Sequence, residues 1–163
     1  YKVLYPQIDA KVALLNIGSE ELKGNNLIKE THELMKSDKR INYKGFVEAD
    51  EITSTNNHVI VTDGFSGNIA LKTAEGVSKF KTDSLKKSLT SSPYSKFLSL
   101  LLKKNFNNFK NSIDPRNYNG GMFIGVNGIV IKSHGNADSH AFANAIEFGV
   151  KCIDANLLNE IKG

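Results

Sequence analysis

The residues of this chain that could do chemistry are concentrated in one polar, glycine-rich turn. The segment VIVTDGFSGNIALKTAEG, residues 59–76, is typical of a strand followed by a turn and the start of a helix. Three consecutive β-branched residues at 59–61 predict a strand covered on both faces. The first amides of the helix would suit phosphate, a carboxylate or a carbonyl becoming an oxyanion. The candidate binding residues are therefore Asp63, Gly64, Ser66, Gly67 and Asn68.

Two glycines and two possible helix caps are expected to shape this turn. Gly64 and Gly67 permit backbone conformations and a close ligand approach that a Cβ atom would obstruct. Either Ser66 or Asn68 is expected to cap the helix. On physical grounds alone, a turn of this composition is about as common without a ligand as with one. A purely structural turn therefore remains the alternative.

A second group of polar residues lies near the carboxyl end of the chain. Lys132 and His134 end a predicted strand before Gly135 and the last predicted helix, where α/β sheets place ligands. A histidine there can shuttle protons near neutral pH or contact phosphate, and a hydrogen-bonded structural role fits equally well. No metal site is predicted, because the other histidines lack partners at ligand spacing: His32, His58 and His140.

Composition favours a single domain over residues 1–163. With 40% hydrophobic residues the chain can bury a core. The single Cys152, flanked by Val150 and Ile153, predicts a buried thiol and a reducing cytoplasm as its setting. No apolar run approaches the roughly 20 residues of a membrane span, and no signal peptide precedes the first strand. Membrane contact is thus expected only as peripheral contact on the inner face of the cell membrane.

The predicted elements follow the order β-α-β-β-α, which is typical of a three-layer α/β/α fold with a mostly parallel sheet. Strands are predicted at 11–17, 41–47, 58–62, 122–126 and 129–132, and helices at 25–36, 67–89, 94–110 and 138–161. Apolar residues at helical spacing are predicted to face the core. These are Leu27, Ile28, Leu34 and Met35 in the first helix, and Ala141, Ala145, Phe148, Cys152 and Ile153 in the last.

Residues 79–110 are predicted to form a projecting helical arm. Eight lysines against one acid give this segment a local charge of +7. Pro93 is well placed to open its second helix, with Ser92 as the cap. That helix carries an apolar stripe that includes Phe97, Leu98, Leu101 and Leu102. Such a stripe packs against a twin helix in a dimer or, with the lysines, contacts anionic lipid.

Three segments of the chain have distinctive sequences: residues 12–30, 61–73 and 118–146. They read VALLNIGSEELKGNNLIKE, VTDGFSGNIALKT and YNGGMFIGVNGIVIKSHGNADSHAFANAI. These blocks resemble the LLN(V/I)G-x-E-x-x-KGN, VTDGFTGNV and YGGA-x-L-G…VIK-x-HG-x-x-D segments of the PlsX family, the acyl-acyl-carrier-protein:phosphate acyltransferases of bacterial phospholipid synthesis. The resemblance implies transfer of a long-chain acyl group from acyl carrier protein to inorganic phosphate, which gives acyl phosphate.

In that reaction phosphate is the nucleophile, so the resemblance implies no catalytic serine or cysteine. It matches Lys23 to the cationic partner of phosphate or of the oxyanion, and Asn68 to an amide that donates to either group. Gly24 and Asn25 belong to the same binding set, in which Asn25 and Asp63 orient these groups. Without the resemblance, a solvated loop lysine and a plain helix cap would be the ordinary interpretations.

The resemblance also implies partners and a fold. The fold would be Rossmann-like, similar to the phosphate acetyltransferase and isocitrate dehydrogenase group. A homodimer is expected, together with peripheral contact with anionic membrane, where a membrane glycerol-3-phosphate acyltransferase would use the product. The lysines of residues 79–110 could also attract acidic acyl carrier protein. No Walker or G-x-G-x-x-G motif is present, so a nucleotide cofactor is not expected, and the resemblance implies no cofactor. No nucleic-acid partner is expected.

Family members are about twice as long, and this chain begins where their second half would. It is therefore interpreted as a fragment, a split gene product or one chain of a nicked enzyme. Two other functions stay open at this point. One is a non-catalytic module that docks acyl carrier protein or membrane, and the other is a phosphate acetyltransferase-like enzyme that uses coenzyme A thioesters.

Overall fold

The computed structural model describes residues 1–162 and contains two compact units. The first unit is Tyr1–Ser84, and the second begins at Leu85. The first contains a three-stranded parallel sheet, and the second a two-stranded antiparallel sheet. The chain is thus an α/β protein whose larger sheet is parallel.

The elements of the first unit alternate as predicted. They are β1 (Lys11–Leu15), α1 (Asn26–Ser37), β2 (Asn42–Val47), β3 (Val59–Val61) and α2 (Gly64–Leu89), which continues past the end of the unit. The strand order is β2-β1-β3, with β1 parallel to both neighbours. Because β1 is central, its Ala13 and Leu14 side chains are buried, together with Val47 at the end of β2.

Burial in α1 differs from the prediction. Ile28 is buried and Met35 half-buried, but Leu27 and Leu34 are 54% and 71% exposed, so their predicted core positions are wrong. The buried face of α1 is built on Ile28 and His32, which are four residues apart and therefore stack on one side of the helix. Leu27 and Leu34 point away from that face.

The strand β3 also differs from its prediction. Its three residues are half-buried, so the expected cover on both faces is wrong. The reason is its place in the sheet, because β3 is an edge strand that pairs with β1 on one side. A run of β-branched residues indicates a strand but does not distinguish an edge from a centre.

The second unit is mostly helical. Its further elements are α3 (Pro93–Leu101), α4 (Lys103–Ser112), a 3₁₀ helix (Pro115–Tyr118), β4 (Gly121–Met122), β5 (Ile131–Lys132), α5 (Ser139–Asp154) and α6 (Leu157–Lys162). Ser92 caps α3, as predicted, by accepting a hydrogen bond from the Ser95 amide at 3.1 Å. The helix predicted at 94–110 is broken at Leu102, and the last predicted helix is broken near Asn156, which has a positive φ of 52°.

The core of the second unit lies along α5. Ala141, Ala145 and Cys152 are buried, which confirms three predicted core positions and the buried thiol. Burial raises the pKa of the Cys152 thiol. Phe148 is half-buried, whereas Ile153 is 62% exposed and its predicted core position is wrong. Ile153 directly follows Cys152, and neighbouring residues lie on different faces of a helix.

Gly120 provides a test of this packing. Its φ is +108°, and an added Cβ atom would lie 3.1 Å from the Ala145 Cα atom of α5. We expect Gly120→Ala to lower the free energy of unfolding by about 2 to 4 kcal/mol, through backbone strain and overpacking. The matched control is Gly121→Ala, because a Cβ atom there would meet no atom within 4 Å. Urea denaturation followed by circular dichroism measures both, and equal midpoints would contradict the prediction.

Candidate active site

Parallel pairing places two of the three sequence blocks at the same edge of the first unit's sheet. Leu14 of β1 pairs with Val61 of β3, near the carboxyl end of both strands. The loop at 16–25 leaves β1 at this edge, and the turn at 62–63 leaves β3 there. Sheets of this kind bind ligands outside the carboxyl ends of their strands. The structure therefore brings the Lys23 loop and the Asp63 turn to one candidate site.

The Lys23 loop is shaped by its two ends. Asn25 is the N-cap of α1, where its side chain accepts a hydrogen bond from the Ile28 amide at 3.0 Å. Gly24 has a φ of +89°, a conformation that favours glycine. The Lys23 side chain is exposed, and its stem lies over Gly18, where an added Cβ atom would be 3.0 Å from Lys23 Cγ. Lys23 is thus an exposed residue whose side-chain stem packs against Gly18.

The Asp63 turn is capped differently from the prediction. The Asp63 carboxylate accepts hydrogen bonds from the Phe65 and Ser66 amides at 2.9 and 2.8 Å, and α2 begins at Gly64. The predicted caps, Ser66 and Asn68, are wrong because the helix starts three residues earlier than expected. The Ser66 hydroxyl and amide, with the Phe65 amide, hold the pKa of Asp63 below its ordinary value.

The two glycines of the turn do not have the special backbone conformations that were predicted for them. Gly64 and Gly67 both lie in α2 without a positive φ, so neither is required for an unusual backbone conformation. Gly67 is required for space, because an added Cβ atom would lie 2.7 Å from Thr62 Cγ2. The space beside Gly64 is open, with no atom within 4 Å of an added Cβ atom.

This capping changes which groups can bind an anion. Two of the first amides of α2 already donate to Asp63, and the Gly67 amide donates to the Asp63 carbonyl at 3.0 Å. Asn68 is the fifth residue of α2, and its side chain is exposed. The Asp63 cap therefore takes up amides that could otherwise bind an anion, and the side chains of Lys23 and Asn68 are exposed at this edge.

Lys132 and His134 lie in the second unit, at and just after the end of β5. Lys132 is exposed. The His134 amide donates to Asn119 Oδ1 at 2.9 Å, and its ring Nδ1 accepts from the Asn136 amide at 3.4 Å. Asn119 Nδ2 also donates to the Ala141 carbonyl at 2.7 Å, which ties this loop to α5. Sequence reasoning missed Asn119, because its partners lie 14 to 22 residues away.

A cluster of charges at the start of α5 was also missed. The Arg116 guanidinium pairs with Asp114 at 2.6 Å and with Asp138 at 2.7 Å. Asp138 is the N-cap of α5 and accepts a hydrogen bond from the Ala141 amide at 2.9 Å. Hydrogen bonds from the Arg116 side chain and amide lower the pKa of Asp114 to about 2. The Ala141 amide and then Arg116 lower that of Asp138.

Two features are absent from residues 1–162, the part of the chain that the structure describes. Among these residues no group of three or more His, Cys, Asp or Glu side chains is arranged to hold a metal ion. None of the helices in this part of the chain is both long and apolar enough to cross a membrane.

Comparison with known proteins decides the family. The model of a family described as "Fatty acid synthesis protein" matches residues 3–160. The chain belongs to this family. A phosphate acyltransferase of Pelagibacter ubique is 46% identical over 164 residues, which covers 99% of this chain and 49% of the relative. The resemblance found in the three sequence blocks is confirmed.

Other members of the family show the same partial coverage. A phosphate acyltransferase of Methylococcus capsulatus is 47% identical over 143 residues, covering 88% of this chain and 42% of the relative. One from Shewanella sp. strain MR-4 is 45% identical over 152 residues, covering 93% and 44%. The chain spans about half the length of these relatives.

The Asp114–Arg116 pair predicts a pH dependence of stability. The folded state holds the pKa of Asp114 at about 2, below its ordinary 3.8. A carboxyl group whose pKa is lower in the folded than in the unfolded state contributes its full stabilisation at pH values above the unfolded-state pKa. That contribution is lost as the pH falls through the folded-state pKa. We expect the urea midpoint to fall between about pH 5 and pH 2.5, and to fall less in Asp114→Asn. The control is Asp154→Asn, an equal charge change on α5, and its urea midpoint should fall with pH as the midpoint of the wild type does.

Proposed function

We propose that the protein transfers a long-chain acyl group from acyl carrier protein to inorganic phosphate, giving acyl phosphate for phospholipid synthesis. The observation that carries this proposal is the meeting of the Lys23 loop and the Asp63 turn at one sheet edge. Relatives named phosphate acyltransferase over nearly the whole of this chain support it.

The reaction is an acyl transfer in which phosphate attacks directly. A phosphate oxygen forms a bond to the thioester carbonyl carbon, the C–S bond breaks, and the thiolate leaves and takes up a proton. The protein must hold a multiply charged anion beside the thioester and stabilise the oxyanion. In this proposal the Lys23 ammonium pairs with the phosphate or the oxyanion, and the Asn68 amide donates to either group.

The other candidate residues of the first unit shape the site around these two groups. Asp63, Ser66 and Gly67 fix the first turn of α2, and the open space beside Gly64 admits the ligand. Gly24 and Asn25 set the turn that carries Lys23. For Lys132 and His134 we propose contact with phosphate, with His134 also able to move a proton.

The proposal also covers the fold, the oligomeric state and the cellular location of the protein. We propose a single Rossmann-like α/β domain over residues 1–163 that resembles the phosphate acetyltransferase and isocitrate dehydrogenase group. We also propose a homodimer in the cytoplasm that contacts the inner face of the membrane, where a glycerol-3-phosphate acyltransferase would take the product. The parallel β2-β1-β3 sheet supports the proposed fold. The exposed apolar surface of α3 supports the proposed membrane contact.

Removal of either proposed donor should lower turnover. Lys23→Ala and Asn68→Ala are each expected to reduce phosphate-dependent thiol release from acyl carrier protein about 100-fold or more. The variants are made in the active, natural form of the protein, and circular dichroism checks the fold. Lys39→Ala and Asn56→Ala, which remove exposed side chains of the same types, should keep full activity. Near-normal turnover in both site variants would refute the assignment.

The donor distinguishes this function from its nearest alternative. Replacement of acyl carrier protein thioesters by coenzyme A thioesters should lower the rate in the same assay. A preference for coenzyme A would indicate a phosphate acetyltransferase-like enzyme instead.

The apolar stripe of α3 supports a peripheral contact with membrane. Phe97, Leu98, Leu101 and Leu102 are 61%, 39%, 68% and 47% exposed. Lysines lie before and after this stripe in the sequence, in a segment of charge +7. Each lysine near an anionic surface gains on the order of 1 kcal/mol, and leucines can insert shallowly. We propose that this surface contacts anionic lipid, with dimer packing near its base.

Co-sedimentation with anionic liposomes tests the lipid contact. Binding should fall with added salt and with Leu98→Glu or Leu101→Glu, because both changes weaken the proposed attraction. Leu34→Glu places the same change on the exposed side of α1 and should bind like the wild type. If the α3 variants bind lipid normally but no longer dimerise, the stripe belongs to the subunit interface.

A further inference from the structure

One buried polar side chain in the first unit is not explained by the proposed chemistry. Asn16 directly follows β1 and is only 6% exposed. Its amide group bonds to the backbone of the loop that carries Lys23. Asn16 Oδ1 accepts from the Ile17 amide at 2.9 Å, and Nδ2 donates to the Lys23 carbonyl at 3.4 Å. The Asn16 main-chain amide donates to the Val47 carbonyl at 3.0 Å, which fixes Asn16 itself to the end of β2.

The end of the same loop, at Gly24, also packs against Asn16. An added Cβ atom on Gly24 would lie only 2.6 Å from Asn16 Oδ1, so the backbone after Lys23 passes very close to this amide. The positive φ of Gly24 turns the chain from Lys23 into α1 at that point. Asn16 therefore contacts the loop at its start, through Ile17, and at its end, through Lys23 and Gly24.

An exposed ion pair connects the middle of the loop to α1. Glu21 pairs with Lys36 of α1 at 2.9 Å, but both side chains are more than half exposed. Exposed ion pairs stabilise little. A buried amide that satisfies backbone groups matters more, because its removal leaves those groups without a partner. Glu21 also lies 3.8 Å from Nε2 of the buried His32. Asn16 is thus a buried constraint on the two ends of the loop.

We propose that Asn16 is a positioning residue that fixes the Lys23–Gly24 turn and so sets the place of the Lys23 ammonium at the sheet edge. The inference rests on the proposed function of Lys23. Asn16 itself does not touch substrate, because its amide is buried and bonded to the main chain. A displacement of about 1 Å in a group that positions a reacting anion can lower the rate about 100-fold.

The test uses two variants that disturb the turn from opposite sides. Asn16→Leu keeps the volume and removes the amide, and Gly24→Ala forces a Cβ atom against Asn16 Oδ1. Asn56→Leu makes the same change at an exposed asparagine and is the control. NMR hydrogen exchange is measured at the Lys23 amide, which donates to the Glu20 carbonyl, and at Ala13 and Leu14 in β1 as a check of the fold.

The second measurement is the affinity for inorganic phosphate in a double-mutant cycle with Lys23→Ala. We expect both loop variants to speed exchange at Lys23 about tenfold while exchange in β1 and the Asn56→Leu control stay unchanged. We also expect Asn16→Leu to weaken phosphate binding about tenfold, with less than about a twofold effect when Lys23→Ala is already present. Such coupling would not arise from a general loss of stability.

Each contrary result has a distinct meaning. Unchanged exchange at Lys23 in a folded Asn16→Leu or Gly24→Ala protein overturns the positioning role. Equal losses of phosphate affinity with and without Lys23→Ala also overturn it, because Asn16 would then act by another route. If Lys23→Ala alone leaves phosphate affinity unchanged, the proposed function of Lys23 fails, and hydrogen exchange still decides whether Asn16 fixes the turn.

Discussion

Parallel pairing of β1 with both of its neighbours is the constraint on which the candidate site depends. Because β1 lies between β2 and β3, its Ala13 and Leu14 side chains are buried and its register with β3 is fixed. A shift of one residue would move these side chains to the other face of the sheet. The fixed register places the ends of β1 and β3 side by side, so loops distant in sequence meet at one edge.

At that edge, local hydrogen bonds determine what remains for a ligand. Asn25 and Asp63 cap the two helices that follow, and Asp63 takes up the first amides of α2. Backbone donors that often bind phosphate are therefore already satisfied within the protein. Lys23 and Asn68 are exposed at the same edge, and we propose their side chains as the ligand groups. We propose that the buried and capping residues provide rigidity and that these two exposed residues provide recognition.

The sequence predicted the elements well where periodicity and turn residues agree. The order of elements along the first unit, the helix near Asn25 and the Ser92 cap were all predicted from local patterns. The cap of α2 was not, because Asp63, Ser66 and Asn68 are all good caps and the residue types alone do not choose among them. Burial was misjudged at Leu27, because helical spacing gives a face but not what covers it.

The sequence did not predict contacts between residues that are distant along the chain. Asn119 bonds to Ala141, and Arg116 to Asp138, each across 22 residues. Even Asn16, seven residues from Lys23, owes its role to burial at the end of β1 and to the close approach of Gly24. No spacing rule predicts such contacts, since they follow from tertiary packing.

We propose that one anion binds between the Lys23 loop and the start of α2. The most direct measurement is the anomalous signal of arsenate, a phosphate analogue that scatters anomalously, in crystals of the protein. We expect a single strong peak at the carboxyl edge of β1 and β3, within hydrogen-bonding distance of Lys23 Nζ. A peak elsewhere on the protein, with this edge empty at arsenate concentrations that saturate binding in solution, would contradict it.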